Sequence, residues 1–346
     1  MTKPNETKTC SDSGSNTVTS YEHLTPDVIL DAIDSQGYSS SGSLLALNSY
    51  ENRVYQLGLY GEGESVESFL IAKFYRPCRW SNAAILEEHQ FSQQLANDEI
   101  PVIAPLINDN NQSLYEFNGY RFALFPRRGG RAPELDDAEN LKWLGRFLGR
   151  IHSVGSKQTF EHRQTMNLKV FGEDAFHYLV ENDFIPAEIK HNFVVAAESL
   201  LQQISHQFEA VYGYNQIRLH GDCHPGNILW TEKGPHFVDL DDCMTGPAIQ
   251  DLWMLLSGSR DDMQRQLASI LEGYEMFRMF DPTELALIEA LRALRILHYS
   301  AWLARRWDDS AFPLAFPWFN TPRYWEDQLY TLREQQERLE QPVLKP

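Results

Sequence analysis

Positive charge is scarce in this 346-residue chain: 30 Lys and Arg stand against 48 Asp and Glu, a formal net charge of -18. A surface for nucleic acid needs clustered Lys and Arg, so nucleic acid is not expected as a partner. An anionic membrane face is repelled for the same reason, and no run approaches the roughly 20 apolar residues of a membrane span. Cysteine is nearly absent. Cys10, Cys78, Cys223 and Cys243 show no C-x-x-C spacing, which points to a reducing compartment and a cytoplasmic protein rather than a disulfide scaffold. The leading MTKPNETKTCSDSGSNTVTS lacks the apolar stretch of a signal peptide and reads as a disordered tail over residues 1–20. There is also no G-x-G-x-x-G, so any phosphate cover must be built another way. What is present, 42% hydrophobic and 23% charged residues, is the composition of a soluble globular protein long enough for two packed lobes.

The expected fold class is α+β, and the lobes separate by pattern. Thr25-Pro26-Asp27 opens a short helix, with Thr as N-cap and Pro in the first turn. The runs in LLALNSYENRVYQLGL and SFLIAKFY, with a turn at Gly61-Glu62-Gly63, read as strands. Ser81 caps a helix through NAAILEEHQFSQQLAND. IPVIAPLI is read as a further strand, and SLYEF and YRFALF as a hairpin about Asn118-Gly119. Residues 21–126 therefore form a β-rich N-lobe with one prominent helix. After a Gly-rich joint at 127–131, residues 127–346 form a mostly helical C-lobe. Its patterns include NLKWLGRFLGRIHS, ESLLQQISHQFEAVY and a helix start at Asp281-Pro282-Thr283-Glu284 with an acid at N3. Only ILW and HFVDL, suited to a small hairpin, interrupt it.

The chemistry concentrates in LHGDCHPGNILW, Leu219 to Trp230. Asp222, Asn227 five positions later and Asp239 at the end of HFVD have the spacing of a phosphoryl-transfer centre. There the first Asp handles the acceptor hydroxyl proton, and the Asn and second Asp hold Mg²⁺ on nucleotide phosphates. An isolated D-x4-N is more often a polar turn satisfying its own backbone. Zinc held by His220, Asp222 and His224 with Cys223 or Cys243 is a competitor, weakened by Pro225-Gly226, which ends any strand there. His220 then reads as a structural residue bonded to the loop backbone. Lys73, mid-strand in SFLIAKFY, needs a carboxylate if buried. Glu88, on the apolar face of the next helix, is favoured over Glu87, and a snorkelling edge lysine is the bland alternative. LNSYENRVY offers Ser49 and backbone N–H groups to phosphates, as any polar hairpin would. Asp251, entering a helix, suits the capping of loop N–H groups. FPLAFPWFNTPRYW reads as core packing rather than a base-stacking surface.

HGDCHPGN, FVDLDD and GPAIQDLWML together resemble the aminoglycoside phosphotransferase and choline kinase superfamily, with a protein-kinase-like bilobal fold. LNSYENRVYQ, IAKFYRPCRW, ILEEHQF and FVDLDDCMTGPAIQDLWMLL resemble a bacterial stress-response kinase branch of it, from about residue 21 onward. The resemblance implies Asp222 as catalytic base, with Asp239 also at the catalytic centre. Asn227 and Asp239 are then Mg²⁺ ligands, Lys73 holds the ATP α/β-phosphates supported by Glu88, and Ser49 lies at the ATP site. Phe125 to Gly130 is implied as the adenine-contacting hinge. The branch implies an ATP-dependent Ser/Thr protein kinase that autophosphorylates and protects against stress. A protein Ser or Thr, or a small hydroxyl compound (amino alcohol, sugar or homoserine), is the acceptor, and a monomer is expected; a nucleotide-binding scaffold without catalysis is the remaining alternative, opposed by the intact set Lys73, Asp222, Asn227 and Asp239. Asp239 is followed by Leu-Asp-Asp rather than Phe-Gly and no A-P-E segment follows, so an activation loop of the usual kind is not expected.

Overall fold

The computed structural model describes residues 18–61, 66–211 and 213–346. Most of the expected tail, and the middle of the turn begun at Gly61, lie outside them. The chain divides into two compact units, one of the residues up to Gln93 with Ile103–Arg128, the other of Gln94–Val102 with Gly129–Pro346.

In the first unit, α1 (Pro26–Asp34) starts where Thr25 accepts a hydrogen bond from the Val28 amide. Strands β1 (Ser40–Ala46), β2 (Arg53–Tyr60), β3 (Val66–Phe74), β4 (Tyr115–Phe117) and β5 (Tyr120–Pro126) form an antiparallel sheet in the order β1-β2-β3-β5-β4. The β4–β5 turn uses Asn118 and Gly119, both at positive φ, which matches the right-handed twist of a two-residue hairpin. Alternation along β3 sorts its two faces. Leu70, Ala72 and Phe74 pack with Ile29, Ile33, Phe122 and Leu124 under α1, while Tyr75 packs with Ile85 of α2 (Asn82–Asn97) and Ala123. Lys73 belongs to the second face and sits opposite Val54 on β2 and Ala123 on β5. Ser81 Oγ accepts from the Ala84 amide and caps α2.

The strand expected at IPVIAPLI does not form. Pro101 and Pro105 remove donors, and the segment makes an isolated parallel bridge, Val102 to Phe237, within the second unit, and a bond from the Leu106 amide to the Leu124 carbonyl. The Cys expectation also needs correction, because Cys78 is disulfide-bonded while Cys223 and Cys243 are free.

The second unit is mostly helical: α3 (Ala138–Gly155), α4 (Asp174–Glu181), α5 (Ala187–Ala210), α6 (Ile249–Trp253), α7 (Arg260–Tyr274), α8 (Ile288–Ala304), α9 (Ala311–Ala315) and α10 (Pro322–Leu339). Two small ribbons interrupt it, β6 (Ile217–Leu219) with β9 (Met244–Gly246), and β7 (Ile228–Thr231) with β8 (Gly234–Phe237). Helices α3 and α7 approach at backbone distance. A Cβ on Gly145 would stand 2.0 Å from the Ile270 carbonyl oxygen, so only glycine fits. The aromatic run after α8 is largely core: Phe312, Phe319 and Trp325 are fully buried. The helix start at Asp281 is a 3-10 turn, Pro282–Leu287, leading into α8, and Asp281 accepts from the Thr283 amide. Glu284 does not complete a capping box there. It turns inward and accepts a hydrogen bond from the Ile249 amide at 2.9 Å.

Candidate active site

In the first unit, the alternation that buries Ala72 and Phe74 under α1 directs Lys73 towards α2. Its Nζ lies 3.5 Å from Glu88 Oε1, with both side chains almost fully buried, and 5.1 Å from the Tyr75 ring centroid. Glu88 is thus a partner of Lys73, while Glu87 is half-buried. Two desolvated charges gain little net stability as a pair, but removing one member of the pair is costly. The neighbouring polar groups are also matched. His89 bonds the Tyr75 hydroxyl at 2.7 Å and Ser113 Oγ at 2.8 Å.

Ser49 lies half-buried in the β1–β2 turn, with its amide donating to the Leu47 carbonyl at 2.8 Å. The turn is tied down after β3. The Arg76 amide donates to Asn52 Oδ1 at 3.0 Å, and its guanidinium donates to the Tyr50 and Glu51 carbonyls and pairs with the Glu51 carboxylate.

In the second unit the 220–227 loop leaves β6 and returns as β7. Its first turn is possible because Gly221 has φ +87° and passes so close to Asp242 that a Cβ would sit 2.1 Å from that residue's carbonyl oxygen. Asp251 at the start of α6 holds this turn. Its two carboxylate oxygens accept from the His220 amide (2.9 Å) and the Gly221 amide (2.8 Å), and Oδ2 also accepts from His152 Nε2 at 3.0 Å. His152 Nδ1 in turn faces the Tyr274 hydroxyl at 3.0 Å, and burial pushes that phenol's pKa up. Gln250 adds a bond to the Gly221 carbonyl. The capping role expected of Asp251 is present, and it is wholly buried. His220 is likewise structural, with Nε2 donating to the Val238 carbonyl at 2.9 Å.

Asp222 projects from this braced turn with a quarter of its side chain exposed. Its Oδ1 is 2.7 Å from Arg295 Nη1 on α8, and its Oδ2 is 3.5 Å from His224 Nε2. Burial works to raise its pKa, but Arg295 and His224 outweigh it and hold the carboxyl below its ordinary value. His224 accepts from the Gly226 amide through Nδ1, and burial, only partly opposed by Asp222, pulls its pKa down.

Asn227 donates through Nδ2 to the Asp222 carbonyl (2.9 Å) and Oδ2 (3.4 Å). With the amide nitrogen engaged, its Oδ1 is the group left to accept. The Val238 amide donates to the Asn227 carbonyl at 3.0 Å, which brings the chain at Asp239 alongside Asn227. Asp239 adopts φ 59° and ψ 64°, a left-handed conformation uncommon outside Gly, Asn and Asp. Arg163 buttresses the following turn, donating to the carbonyls of Cys243 (3.0 Å) and Asp241.

The zinc arrangement has no support in this geometry. Burial raises the Cys223 thiol well above its ordinary pKa, so it is a poor ligand. Among the described residues no group of three or more His, Cys, Asp and Glu is arranged to hold a metal. An amide oxygen from Asn227 with the Asp239 carboxylate is instead a hard-oxygen pair. Such a pair fits Mg²⁺, whose shell phosphates and water ordinarily complete.

Three participants were not singled out from sequence: Arg295, His152 and Tyr274. Arg295 stands 73 residues beyond Asp222. Its one available signal was a guanidinium that, with Arg292, interrupts the largely apolar helix LRALRILHYSAWLA. His152 carried the parallel signal of a histidine among the buried positions of α3.

The model of the phosphotransferase enzyme family matches residues 43–288. The chain belongs to that family. It is 46% identical over 330 residues to stress response kinase A of Escherichia coli O157:H7, covering 95% of this chain and 98% of the relative. It is 44% identical over 325 residues to serine/threonine protein kinase RdoA of Salmonella typhimurium, covering 94% and 96%. Among solved structures, amicoumacin kinase hAmiN in complex with AMP-PNP, Ca²⁺ and Ami aligns with a TM-score of 0.63 at 17% identity, over 85% of this chain and 90% of that one. This kinase of the phosphotransferase family thus has the protein-kinase-like fold and is a stress response kinase A homologue. Among the described residues no helix is long and apolar enough to cross a membrane.

Proposed function

We propose that this phosphotransferase moves the γ-phosphoryl group of Mg²⁺-ATP to a hydroxyl, with Asp222 as the base. The observation that carries the reading is the state of Asp222: a carboxylate held ionised, on a turn fixed by Asp251, with Asn227 hydrogen-bonded beside it. Asp222 accepts the proton as the acceptor oxygen forms its bond to phosphorus and the bond to the β–γ bridging oxygen breaks, releasing ADP. Asn227 Oδ1 and the Asp239 carboxylate hold Mg²⁺, which when bound offsets the phosphate charge. Lys73, oriented by Glu88, binds the α/β-phosphates, and the Ser49 turn covers the nucleotide. The catalytic advantage is then positioning plus fixed charge.

A Ser or Thr of a protein is the proposed acceptor, supported by the name and near-complete coverage of the Salmonella relative. A small hydroxyl compound is the second reading, favoured by the substrate-bound amicoumacin kinase of the same fold. Transfer of labelled γ-phosphate by purified protein, with and without Mg²⁺, tests the core of the reading. Asp222→Ala and Asp239→Ala are each expected to abolish transfer while the thermal unfolding midpoint stays close to wild type. If Asp222→Ala transferred phosphate at the wild-type rate, Asp222 would not be the base.

A further inference from the structure

The base presents an unusual face to its acceptor. Among the described residues Arg295 is the one permanently charged cation that touches Asp222, and it does so through a single Nη1 contact of 2.7 Å. Its other N–H groups make no hydrogen bond to the protein among the described residues, and its side chain is 43% exposed. A guanidinium carries five donors in a planar fork suited to two-point binding of carboxylate or phosphate. Here most of that fork is unspent, beside the oxygen that takes the acceptor's proton. An unaccompanied Asp222 would draw an ammonium towards the hydroxyl. With Arg295 bound at 2.7 Å, the charge of the carboxylate is offset.

From this placement we infer that Arg295 determines acceptor specificity: its free N–H groups receive an anionic group next to the acceptor hydroxyl, so the preferred substrate is a Ser or Thr flanked by acidic residues rather than an amino alcohol or a basic peptide. The inference rests on the proposed role of Asp222 as base. The net charge of -18 points the other way, towards basic partners, but it acts through solvent and is screened beyond roughly 8–10 Å. Arg295 acts at hydrogen-bonding distance of the base, where screening is slight, so the local charge decides. No bond is made or broken at Arg295. It holds Oδ1 of Asp222, leaves Oδ2 for the proton, and fixes the acceptor through its anion.

The test uses full-length protein and three synthetic Ser peptides of equal length, flanked by Asp and Glu, by Ala and Gln, or by Lys and Arg, with ethanolamine as the amino-alcohol arm. Wild type is expected to favour the acidic over the basic peptide in kcat/KM by about tenfold or more, the scale of one charge-assisted contact. Arg295→Met should reduce that ratio to within about threefold, and Arg295→Lys, a point charge without the fork, should fall between. To separate binding from any change in the transfer rate itself, affinity for the same peptides with Ser replaced by Ala is measured by fluorescence anisotropy. The acidic preference must appear there in wild type and disappear in Arg295→Met. A wild type preferring basic peptides or ethanolamine, or an acidic preference surviving Arg295→Met, overturns the inference while leaving Asp222 as base. Absence of phosphate transfer to every acceptor would count instead against the proposed function, and the binding arm would still decide the role of Arg295.

Discussion

Replacing Asp251 with Asn tests how the 220–227 loop is held. The native carboxylate accepts three hydrogen bonds, from the His220 amide, the Gly221 amide and His152 Nε2. An asparagine keeps two bonds by placing its oxygen at the Oδ2 position, facing the His220 amide and His152, and turns an NH₂ towards the Gly221 amide, so one bond is lost and two lose their charge assistance. At about 1.5 kcal/mol for a buried, charge-assisted bond and about 1 kcal/mol for a neutral one, the loss is about 2.5 kcal/mol. Unfolding midpoints of units this large shift by roughly 2–4 °C per kcal/mol, giving a fall on the order of 5–10 °C. Function should suffer more. A displacement of about 1 Å at the turn carrying Asp222 is worth on the order of 10²-fold in kcat, while nucleotide affinity through Lys73 changes little. Thermal unfolding, nucleotide titration and phosphate transfer on one preparation separate the three effects. An Asp251→Asn protein within about 2 °C of wild type with full kcat would refute the brace. A parallel fall in nucleotide affinity would show general damage instead.

Stability should also carry a signature of Glu284, whose burial raises its pKa from 4.5 to about 7. The folded state holds that proton more tightly than the unfolded one, so stability is fully present below pH 4.5 and declines as pH rises through 7, by up to about 3 kcal/mol. Glu284→Gln removes this slope, so its midpoint relative to wild type should climb between pH 5 and 7.5; a constant difference would contradict the assignment. Lys73→Met should lose transfer and, by removing one member of a buried ion pair, cost about 3–5 kcal/mol. Adding Glu88→Leu should recover most of that stability and none of the activity, as read by denaturant unfolding beside the transfer assay.

Much of this molecule is legible locally. Thr25, Ser81 and the Asn118-Gly119 turn act within three or four residues of themselves, and all three appear as expected. The two-residue period of SFLIAKFY was enough to place Lys73 opposite Glu88, because a buried ammonium demands a partner and the next helix offered one on its apolar face. What escaped depends on long-range partners. IPVIAPLI has strand composition, but its prolines leave the ladder short of donors. Glu284 occupies a capping position by spacing, yet the Ile249 amide, distant in sequence, competes for its carboxylate and wins. Arg295 sits in a helix whose pattern says only that most of it is buried, and nothing near position 295 indicates which loop it will meet. The contribution of His152 and Tyr274 to the Asp251 brace is hidden in the same way, since each is an unremarkable member of its own helix.

The brace and the base respond differently to dissolved ions. Asp251 and His152 are sealed from solvent, so counterions cannot reach their contact and salt leaves the frame of the loop almost untouched. Arg295 and Asp222 are 43% and 24% exposed, within reach of the ionic atmosphere. Ionic strength is therefore a handle on the chemical end of the loop alone: it loosens the guanidinium from the carboxylate while the backbone beneath them stays in register.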